Sequence, residues 1–526
     1  MKKIKRFFAR RILRGSNKLY KSNNHNAIIY LKEDISNYKI VNNIFFSNIF
    51  FRDLDNYENI IISQYLTNII SNRYFNKAIL FFIGINYKII YPLPLFCLKL
   101  GSANNLKFNY LFSIIAWYLL SFLLIAYSIK FPLRYSLLFI KNLFMANCSP
   151  KNFIYFSSID KGCTYLNLKS KNLNIISWFY IKYKKKYDFE NICHVSIDHD
   201  TKNKNVFYVK SVLPPIQSFY KLTLFFIEYI KLIIVTLINL LFLKWIPFIL
   251  LNEIIKSKIF ISTEKSNIGK VYLFNNSQMR YRPIWTYIAE KKGADIIFYY
   301  YSVNNEKIQN IYSKQKYFYG LDKMSWSKYL VWDLNQKNKL IHQVGKDKDI
   351  CVVGYIPFSV NPFLKFSYDH KYIVVFPIQP KRKFLYKTTN MNEVDYCIPS
   401  SCKKFLDDIS ILSKKHKIHI ILKQKRKIST LFRDTGYNNY TNNLIKNNKS
   451  LNIIDEEFSV QQIISNSMGV ISYPFTSTAK IANYMNIPSI YYDTSQIIHK
   501  NDPGAEDIEM INQINDLEEW IKKIIK

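Results

Sequence analysis

From about residue 265 to its end, the chain alternates short β-rich runs with segments long enough to form helices, and this alternation constrains the fold most. The runs VYLF (271–274), KYIVVFPIQP (371–380) and GVISY (469–473) are rich in β-branched and aromatic residues. Strands that alternate with helices in this way form βαβ units around a parallel sheet. The sequence therefore predicts an α/β fold for the C-terminal half of the chain.

The predicted strands form two groups, which indicates two α/β halves of residues 266–360 and 368–526, joined by a linker from Pro357 to Ser367. The strands are predicted at 271–274, 295–301, 328–333, 349–355, 371–380, 417–424, 451–455, 469–473 and 488–493. The helices are predicted near 284–292, 335–345, 401–415, 459–466 and 510–525, and from about 478. Parallel sheets bind ligands beyond the carboxyl ends of their strands, so we expect the functional residues in the loops that follow strands, on both sides of a cleft.

Residues 1–265 have a mainly helical and apolar character, with a few short strand-like pieces such as NFIYFSS (152–158) and NIISWFYI (174–181). Two stretches of this region, 110–129 and 232–251, are the most continuously apolar. The first contains no charge and has about the 20 residues that a bilayer-spanning helix needs, whereas a lysine and a proline break the second.

The two apolar stretches fit three arrangements: two spanning helices, helices embedded in one leaflet, or buried core helices. Lys-rich segments lie between the stretches and on both flanks, so the positive-inside rule gives no asymmetry. We expect the protein to attach to the cytoplasmic face of the inner membrane, as a peripheral or an embedded protein.

The chain is strongly basic, with a formal net charge of +37. Such a balance suits nucleic acid or an anionic membrane surface, although the same Lys excess accompanies the abundant Asn, Ile, Tyr and Phe of an A/T-biased gene. No recognisable nucleic-acid-binding motif is present, so we predict an anionic membrane surface and no nucleic acid as partner. Residues 1–26 suit a short basic amphipathic helix on such a surface, or a solvated basic arm.

The segment SYPFTSTAKIANY (472–484) places three hydroxyl residues, Thr476, Ser477 and Thr478, where a predicted strand gives way to a helix. An ordinary N-cap needs one hydroxyl. The free N–H groups and the positive end of the helix dipole make a helix N-terminus a natural phosphate site, and hydroxyl groups add further donors. We therefore predict that this loop binds phosphate.

Other polar residues follow strands of the same half. Gln379 follows the strand VVFPI, Lys423 ends the strand IHIIL, and Asp455 follows the strand LNII. A lysine at such an edge would meet a diphosphate. These three residues are predicted to line the same cleft as the phosphate-binding loop.

In the first half, the loop after VYLF carries Asn276, Arg280 and Arg282. Arginine is scarcer than lysine in this chain, so two closely spaced arginines beside a helix start are less easily explained by composition. Their planar guanidinium groups suit a carboxylate or a phosphate. We predict that these three residues contact an anionic ligand, with surface arginines as the alternative.

The candidates for a general base are guesses, His199 and Asp200 in the run HVSIDHD (194–200). Histidine titrates near neutral pH, and Asp200 belongs to a DxD pair of the kind that holds a metal on a diphosphate. A second DxD in FRDLDNY makes that signal weak. The seven cysteines lack zinc-site spacing, and no Walker loop, HExxH or dinucleotide fingerprint is present, so we predict no metal site and no bound cofactor.

Three phrases resemble a known family: YPFTSTA (473–479), RPIWTYIAEKKGADIIFYYYS (282–302) and MSWSKYLVWDLNQ (324–336). They are similar to the bacterial surface-polysaccharide biosynthesis proteins named for their PFTS motif, over about residues 270–495. The resemblance implies a pathway, the assembly of capsule, lipopolysaccharide or a related glycan. It also implies a GT-B-like pair of Rossmann-type domains, the fold of one class of glycosyltransferases and of related nucleotide-sugar epimerases.

The resemblance implies a metal-independent glycosyltransferase that takes a nucleotide-sugar as co-substrate and a lipid-linked or growing glycan as acceptor. A nucleotide-sugar epimerase of the same fold, and a non-catalytic membrane-bound scaffold of glycan assembly, are the alternatives. In many enzymes of the resembled type a glutamate four residues after the small-hydroxyl loop holds the donor ribose. Counted from Ser477, that position here is Ile481, so the motif is incomplete.

Overall fold

The structure is a computed structural model. It describes residues 10, 88, 90–103, 107–144, 152–159, 166, 173–196, 205–209, 211–216, 218–242, 246–276, 282–303, 324–345, 347–357, 364–382, 385, 397–424, 433–455, 457–502 and 504–526. Apart from Arg10, the basic stretch 1–26 lies outside the described residues, and so does the structure predicted for it.

The first sheet has seven parallel strands in the order β3-β2-β1-β4-β5-β6-β7. They are β1 (Phe153–Ile159), β2 (Asn191–Ser196), β3 (Val206–Tyr208), β4 (Val271–Asn275), β5 (Asp295–Tyr299), β6 (Lys328–Val331) and β7 (Asp349–Val352). Strand β1 pairs with β2 on one side and with β4 on the other. The sheet therefore begins well before residue 266, and the boundary predicted there is too late, because three strands of this sheet come from the predicted helical region.

The second sheet has six parallel strands in the order β10-β9-β8-β11-β12-β13. They are β8 (Tyr372–Phe376), β9 (His419–Lys423), β10 (Leu451–Ile454), β11 (Gly469–Ser472), β12 (Ser489–Tyr492) and β13 (Glu509–Ile511). In each sheet the first strand lies inside, the next two extend to one side and the rest to the other, which is the doubly wound Rossmann order. The predicted α/β class with two Rossmann-type halves is confirmed.

The helices are α1 (Leu95–Ala103), α2 (Tyr110–Ser128), α3 (Lys130–Phe144), α4 (Ile175–Tyr187), α5 (Phe219–Leu241), α6 (Ile246–Ser262), α7 (Trp285–Lys291), α8 (Leu334–Val344), α9 (Pro399–His416), α10 (Thr435–Lys446), α11 (Val460–Ser465), α12 (Ser477–Tyr484) and α13 (Ile514–Ile525). Helix α10 was not predicted, and the residues predicted to open the last helix form strand β13 instead.

The strand-like run at 174–181 is wrong as a prediction, because it forms most of helix α4. The side chain of Asn174 accepts a hydrogen bond of 2.8 Å from the backbone N–H of Ser177, which caps the helix. Aromatic side chains four residues apart then stack along one face, with the rings of Phe179 and Tyr183 4.5 Å apart. Capping and this spacing outweigh the strand preference of the aromatic residues.

The second predicted apolar stretch, 232–251, is divided between helices α5 and α6. Pro247 lies in the first turn of α6, a position where a missing backbone N–H costs little. Two helical segments in the described ranges are long and apolar enough to cross a membrane by length and composition, Tyr110–Ile140 and Phe219–Leu241. The apolar helix therefore begins earlier in the sequence than predicted.

Helices α2 and α5 expose apolar side chains along one face and bury several polar side chains among the apolar ones. The residues that α2 buries include three serines, Ser113, Ser121 and Ser128, whereas Leu119 and Leu123 are 60% and 69% exposed. Helix α5 likewise buries a threonine and an asparagine and exposes a row of isoleucines. Soluble helices bury the apolar face, whereas helices in lipid pack through small and polar residues. This polarity fits an apolar environment outside the helices.

Helix α5 runs antiparallel to the segment formed by α2 and α3. The Tyr118 hydroxyl donates a hydrogen bond of 2.8 Å to the Leu240 carbonyl oxygen, and the Ser128 and Tyr229 hydroxyls lie 3.0 Å apart. These bonds satisfy polar side chains inside the helical layer. The layer packs on α6. Helix α6 in turn packs on the first sheet through Phe260, whose ring lies 6.1 Å from that of Tyr272 on β4 and stacks 4.6 Å from that of Trp285 on α7.

One apolar cluster joins the two sheets. It combines Leu330 and Trp332 of the first half with Val374, Phe376 and Ile481 of the second, all of them buried. The two halves therefore contact each other through a packed interface next to the carboxyl ends of their strands.

Helix α13 is tied to α9 by a carboxylate. Glu518 lies 2.8 Å from the Lys415 ammonium group and 3.0 Å from His416 Nε2. The hydrogen bond from Lys415, followed by those from His416 and Lys522, lowers the pKa of Glu518 from 4.5 to about 2. A carboxylate whose pKa is lowered by folding stabilises the folded state above its unfolded pKa, and this contribution is lost as the pH falls towards 2.

We expect Glu518→Gln to lower the thermal midpoint of unfolding at pH 7 and to weaken its decrease between about pH 5 and pH 2. Thermal unfolding followed at a series of pH values measures both effects. Glu519→Gln is the matched control, because Glu519 is exposed and its described ion pair is with Lys522 alone. Equal midpoints and equal pH profiles for the two variants would contradict the assignment.

Candidate donor site at the carboxyl edge of the second sheet

The PFTS loop lies at the switch point of the second sheet, where the order of the strands reverses. Strands β8 and β11 are neighbours, and the connections that follow them lead to opposite sides of the sheet. In doubly wound sheets the crevice at this point is where ligands bind. Residues 473–476 follow β11, and residues 377–380 follow β8. The structure thus brings the predicted loop and Gln379 to the same crevice.

The loop turns sharply before helix α12. Phe475 has φ 57°, in the left-handed region that residues other than glycine rarely adopt. Its side chain is buried against the ring of Tyr491 at a centroid distance of 5.9 Å. Packing therefore holds a conformation that costs energy locally, a situation common at ligand-binding turns.

The three hydroxyl residues bond within the loop and across to the first half. Thr476 Oγ1 donates to the Tyr473 carbonyl oxygen at 2.8 Å and lies 3.1 Å from Thr478 Oγ1, which is 2.7 Å from Ser472 Oγ. Ser477 Oγ accepts a hydrogen bond of 3.0 Å from the backbone N–H of Val303.

Thr476 is the N-cap residue of α12, but its side chain makes no capping hydrogen bond. The hydroxyl groups therefore do more than cap a helix: they fix the shape of the loop and join it to the facing half. The N–H groups at the start of α12 are not used by the side chain of the cap residue.

Lys423 and Gln379 both contact Gln424, the residue that follows β9. Lys423 is buried at the end of β9, and its ammonium group donates to the Gln424 carbonyl oxygen at 3.3 Å. The side-chain amide of Gln379 donates to Gln424 Oε1 at 2.9 Å, and the Arg433 guanidinium group bonds the Gln379 carbonyl oxygen. This side of the crevice is therefore rich in hydrogen-bond donors.

The same side is also positively charged. Lys381 pairs with Arg433 in a short antiparallel bridge. Burial, followed by the neighbouring charge of Arg433, lowers the pKa of Lys381. Cations held this close together repel each other, so an anion in the crevice would relieve the repulsion.

Asp455 does not belong to this group. It is exposed at the end of β10, the edge strand, with β9 between it and β8. Its carboxylate accepts the Glu457 backbone N–H at 2.9 Å, which is a local turn contact. The structure therefore separates Asp455 from the PFTS loop. Within the described part of the chain, no three His, Cys, Asp or Glu side chains are grouped so that they could hold a metal ion.

Asn276 lies at the corresponding point of the first sheet, directly after β4. It is buried, and its side-chain amide donates to Ser302 Oγ at 2.6 Å. Ser302 is followed by Val303, which donates to Ser477. Asn276 Oδ1 has no hydrogen-bond partner among the described residues. The structure thus brings Asn276 to the same interface as the PFTS loop.

Arg282 has a different role from the predicted ligand contact. Its guanidinium group is buried, and it donates to the Ser325 carbonyl oxygen and to Ser327 Oγ, both at 2.8 Å. Its Nη2 lies 2.5 Å from the Glu290 carboxylate, and its central carbon lies 3.9 Å from the centroid of the Tyr287 ring. These contacts hold helix α7 to the segment before β6. The other residues predicted beside it or as bases, Arg280, His199 and Asp200, lie outside the described residues.

The sequence reasoning missed three charged residues beside the loop. Lys480 on α12 lies 2.5 Å from the Glu506 carboxylate and 3.5 Å from the Asp333 carboxylate. Lys480 and Asp333 lie inside the quoted segments SYPFTSTAKIANY and MSWSKYLVWDLNQ, but no role was assigned to them. A lysine and an aspartate that each follow an inner strand were the available signal. Glu506 carried none, because it lies in a loop without a recognisable pattern.

Ile481, the position where the resembled motif has a glutamate, is buried in the apolar cluster that joins the two halves. Its neighbour Ala482 is buried in the same cluster. A carboxylate at this position would lack the polar surroundings that it needs. In this protein helix α12 therefore cannot hold a ribose in the manner of the resembled enzymes.

Comparison with known proteins gives a family and a set of distant structures. The family described as "Polysaccharide biosynthesis PFTS motif protein" matches residues 230–521, more than half of the chain. No curated protein is detectably similar in sequence.

Three solved structures illustrate the structural likeness. "Lipopolysaccharide outer core galactosyltransferase WaaB" has a TM-score of 0.33 at 12% identity, covering 71% of this chain and 90% of that one. UDP-GlcNAc 2-epimerase from Methanocaldococcus jannaschii has a TM-score of 0.36 at 11% identity, covering 71% and 91%. "Wall Teichoic Acid Polymerase TagF" has a TM-score of 0.35 at 12% identity, covering 75% and 88%.

Because Arg282 is buried and donates to Ser325 and Ser327, we expect Arg282→Gln to lower the free energy of unfolding by about 1.5–3 kcal/mol, the range for hydrogen bonds to a charged group. The ion pair adds less, since Glu290 is 35% exposed and solvent screens it. Denaturant unfolding followed by tryptophan fluorescence measures the change. Lys291→Gln on the same helix is the control, since that side chain is exposed and its loss should change stability by less than about 0.5 kcal/mol. A stable Arg282→Gln protein that fails to bind its substrates would restore the predicted ligand contact.

Proposed function

Because this chain belongs to the family of polysaccharide biosynthesis proteins that carry the PFTS motif, we propose that it is a glycosyltransferase of surface-polysaccharide assembly. It would transfer a sugar from a nucleotide-activated donor to a lipid-linked or growing glycan. In the reaction, the bond between the anomeric carbon and the donor phosphate oxygen breaks, and a bond forms to the acceptor oxygen. The acceptor proton passes to a base, and the nucleotide leaves with the electron pair.

The observation that carries this proposal is the position of the PFTS loop. The loop begins helix α12 at the crevice between β8 and β11. Gln379 lies in the connection after β8, and Lys423 is the last residue of β9, the strand on the other side of β8. The helix N-terminus and the lysine would stabilise the negative charge that develops on the leaving phosphate. Thr476, Ser477 and Thr478 would orient the phosphate, with no metal required.

The facing half would receive the acceptor. Asn276 lies across the interface from the PFTS loop, because it bonds Ser302, and the next residue, Val303, donates to Ser477. His199 and Asp200 remain the proposed bases, and Arg280 a proposed contact. Asp455 is a weaker candidate, because it follows the edge strand β10, and β9 lies between that strand and β8.

The helical layer favours the transferase over the epimerase. An epimerase acts on a soluble sugar nucleotide and needs no lipid surface, whereas a lipid-linked acceptor is confined to a membrane. Helices α2, α3 and α5 expose apolar side chains along their length and keep serine, threonine and asparagine inside. We propose that this layer attaches the protein to the cytoplasmic face of the inner membrane, near its acceptor.

We expect sugar nucleotides or their nucleoside diphosphates to stabilise the purified protein against heat, since a ligand that binds the folded state raises its midpoint. The double variant Thr476→Ala/Ser477→Ala should lower nucleotide affinity by more than about tenfold, because hydrogen bonds to a charged group contribute about 1.5–3 kcal/mol each. A thermal-shift panel of nucleoside mono- and diphosphates and sugar nucleotides measures both effects.

Ser459→Ala is the matched control, because Ser459 is the N-cap of α11 in the same half but follows the edge strand β10. It should bind nucleotide like the unmodified protein. Stabilisation of the double variant equal to that of the control would remove the loop from the donor site. If no nucleotide stabilises the unmodified protein, the result would favour a non-catalytic, membrane-bound scaffold of glycan assembly over a glycosyltransferase.

We expect Ile234→Glu to release the protein from membranes, because a carboxylate on the outer face of α5 would have to enter lipid. Flotation with phosphatidylglycerol-containing vesicles measures the bound fraction, which should fall severalfold. Ile411→Glu is the control: both isoleucines lie on helices and are about half exposed, at 50% and 55%, but Ile411 lies in the second half. Equal flotation of the two variants would exclude the α5 face as the attachment surface.

A further inference from the structure

Lys480 is a deeply buried charged group at the junction of the two halves. Its side chain is only 4% exposed, and it lies between two carboxylates of different origin. Glu506, at 2.5 Å, belongs to the same half as helix α12. Asp333, at 3.5 Å, belongs to the first half and follows β6. The cation is therefore shared between the halves.

Two further contacts surround this ion group, one on each side along α12. At the start of the helix, Val303 donates its backbone N–H to Ser477 Oγ at 3.0 Å. At its end, the Tyr484 hydroxyl donates to the Trp332 carbonyl oxygen at 3.3 Å. Helix α12 thus meets the first half at its first turn, its middle and its last residue.

The ion group has a physical reason to hold the helix in place. Burial of a cation without a counter-charge costs several kcal/mol. Burial raises the pKa of Glu506, and the charge of Lys480 opposes that rise. Asp333 adds the second negative charge, so its distance to Lys480 affects how well the cation is compensated. Movement of α12 away from the first half would remove this compensation.

We propose that Asp333 is a positioning residue of the PFTS loop: through Lys480 it holds α12 against the first half, so that Ser477 meets both Val303 and the donor phosphate. This inference rests on the proposed function for the identity of the ligand, but not for the contact itself. A serine hydroxyl has one hydrogen to donate and two lone pairs to accept. The Val303 N–H occupies one lone pair and leaves the hydrogen to point towards a phosphate oxygen.

The two hydrogen bonds of Ser477 reinforce each other. A hydroxyl that accepts a hydrogen bond becomes a better donor, because bonds in a chain polarise one another. The affinity of the loop for phosphate is therefore set partly by the first half, by residues that do not touch the ligand. Asp333 acts without contact with the donor. Its removal should weaken both the binding of the donor and the hydrogen bond from the Val303 amide to Ser477.

The test variant is Asp333→Asn. Asp333 is also the N-cap of α8, where it accepts the Gln336 backbone N–H at 2.7 Å, and asparagine is an equally good cap residue. The variant thus removes the charge and keeps the cap. We expect faster hydrogen–deuterium exchange at the Val303 amide without nucleotide, and a nucleotide dissociation constant raised on the order of tenfold.

Asp349→Asn is the matched control, because Asp349 also belongs to the first half but pairs with Lys328 of the same sheet, at 2.7 Å. It should change neither the exchange at Val303 nor the nucleotide affinity. Unchanged exchange at Val303 in Asp333→Asn would overturn the inference, and so would unchanged affinity in a protein that binds nucleotide. If the unmodified protein binds no nucleotide, the proposed function fails. The exchange at Val303 would still show whether Asp333 holds helix α12 against the first half.

A second variant guards against a merely unstable protein. Tyr484→Phe removes the hydroxyl that bonds Trp332 and leaves the ion group intact. It should change Val303 exchange and nucleotide affinity in the same direction as Asp333→Asn, by a smaller factor. A variant with a lower thermal midpoint but with unchanged Val303 exchange and affinity would assign both residues a purely structural role.

Discussion

In each sheet the order of the strands reverses beside the first strand, and this switch point determines where we expect a ligand to bind. In the second sheet, connections diverge on either side of β8, and the loop after β11 opens into the space that this divergence creates. The first sheet has the same arrangement around β1 and β4. Because the carboxyl edges of the two sheets meet at one apolar interface, their open positions are brought together. The candidate site follows from this topology, and the side chains only refine it.

The PFTS loop illustrates how one group can serve both structure and binding. Its hydroxyl groups fix the turn through short internal bonds, and Ser477 reaches the other half through Val303. Hydroxyl groups that are already oriented by the protein lose little freedom when a ligand binds, which favours affinity. The left-handed Phe475 and the buried Lys480 contribute to the same rigidity. A loop built only as a helix cap would need none of these contacts.

The sequence was informative where local pattern decides the structure. The predicted strands from residue 271 to residue 493 are all present, because β-branched runs followed by helices leave few alternatives. Strands β1 to β3 were not assigned to the sheet, since helices and long connections separate them from β4. Partners distant in sequence were also invisible: Val303 and Ser477 are 174 residues apart. The burial of Arg282 was hidden for the same reason, because its partners Ser325 and Ser327 lie on another segment.

Helix α12 explains why the resembled motif is incomplete in this chain. Residues four apart lie on one face of a helix, so Ser477 and Ile481 point to the same side, and the helix ends on that side with Tyr484. Ser477 contacts Val303, Ile481 is buried between the halves, and Tyr484 bonds Trp332. All three residues contact the first half. Under the proposed function, helix α12 would offer a donor its N-terminus and hydroxyl groups, and other segments would hold the sugar and the base.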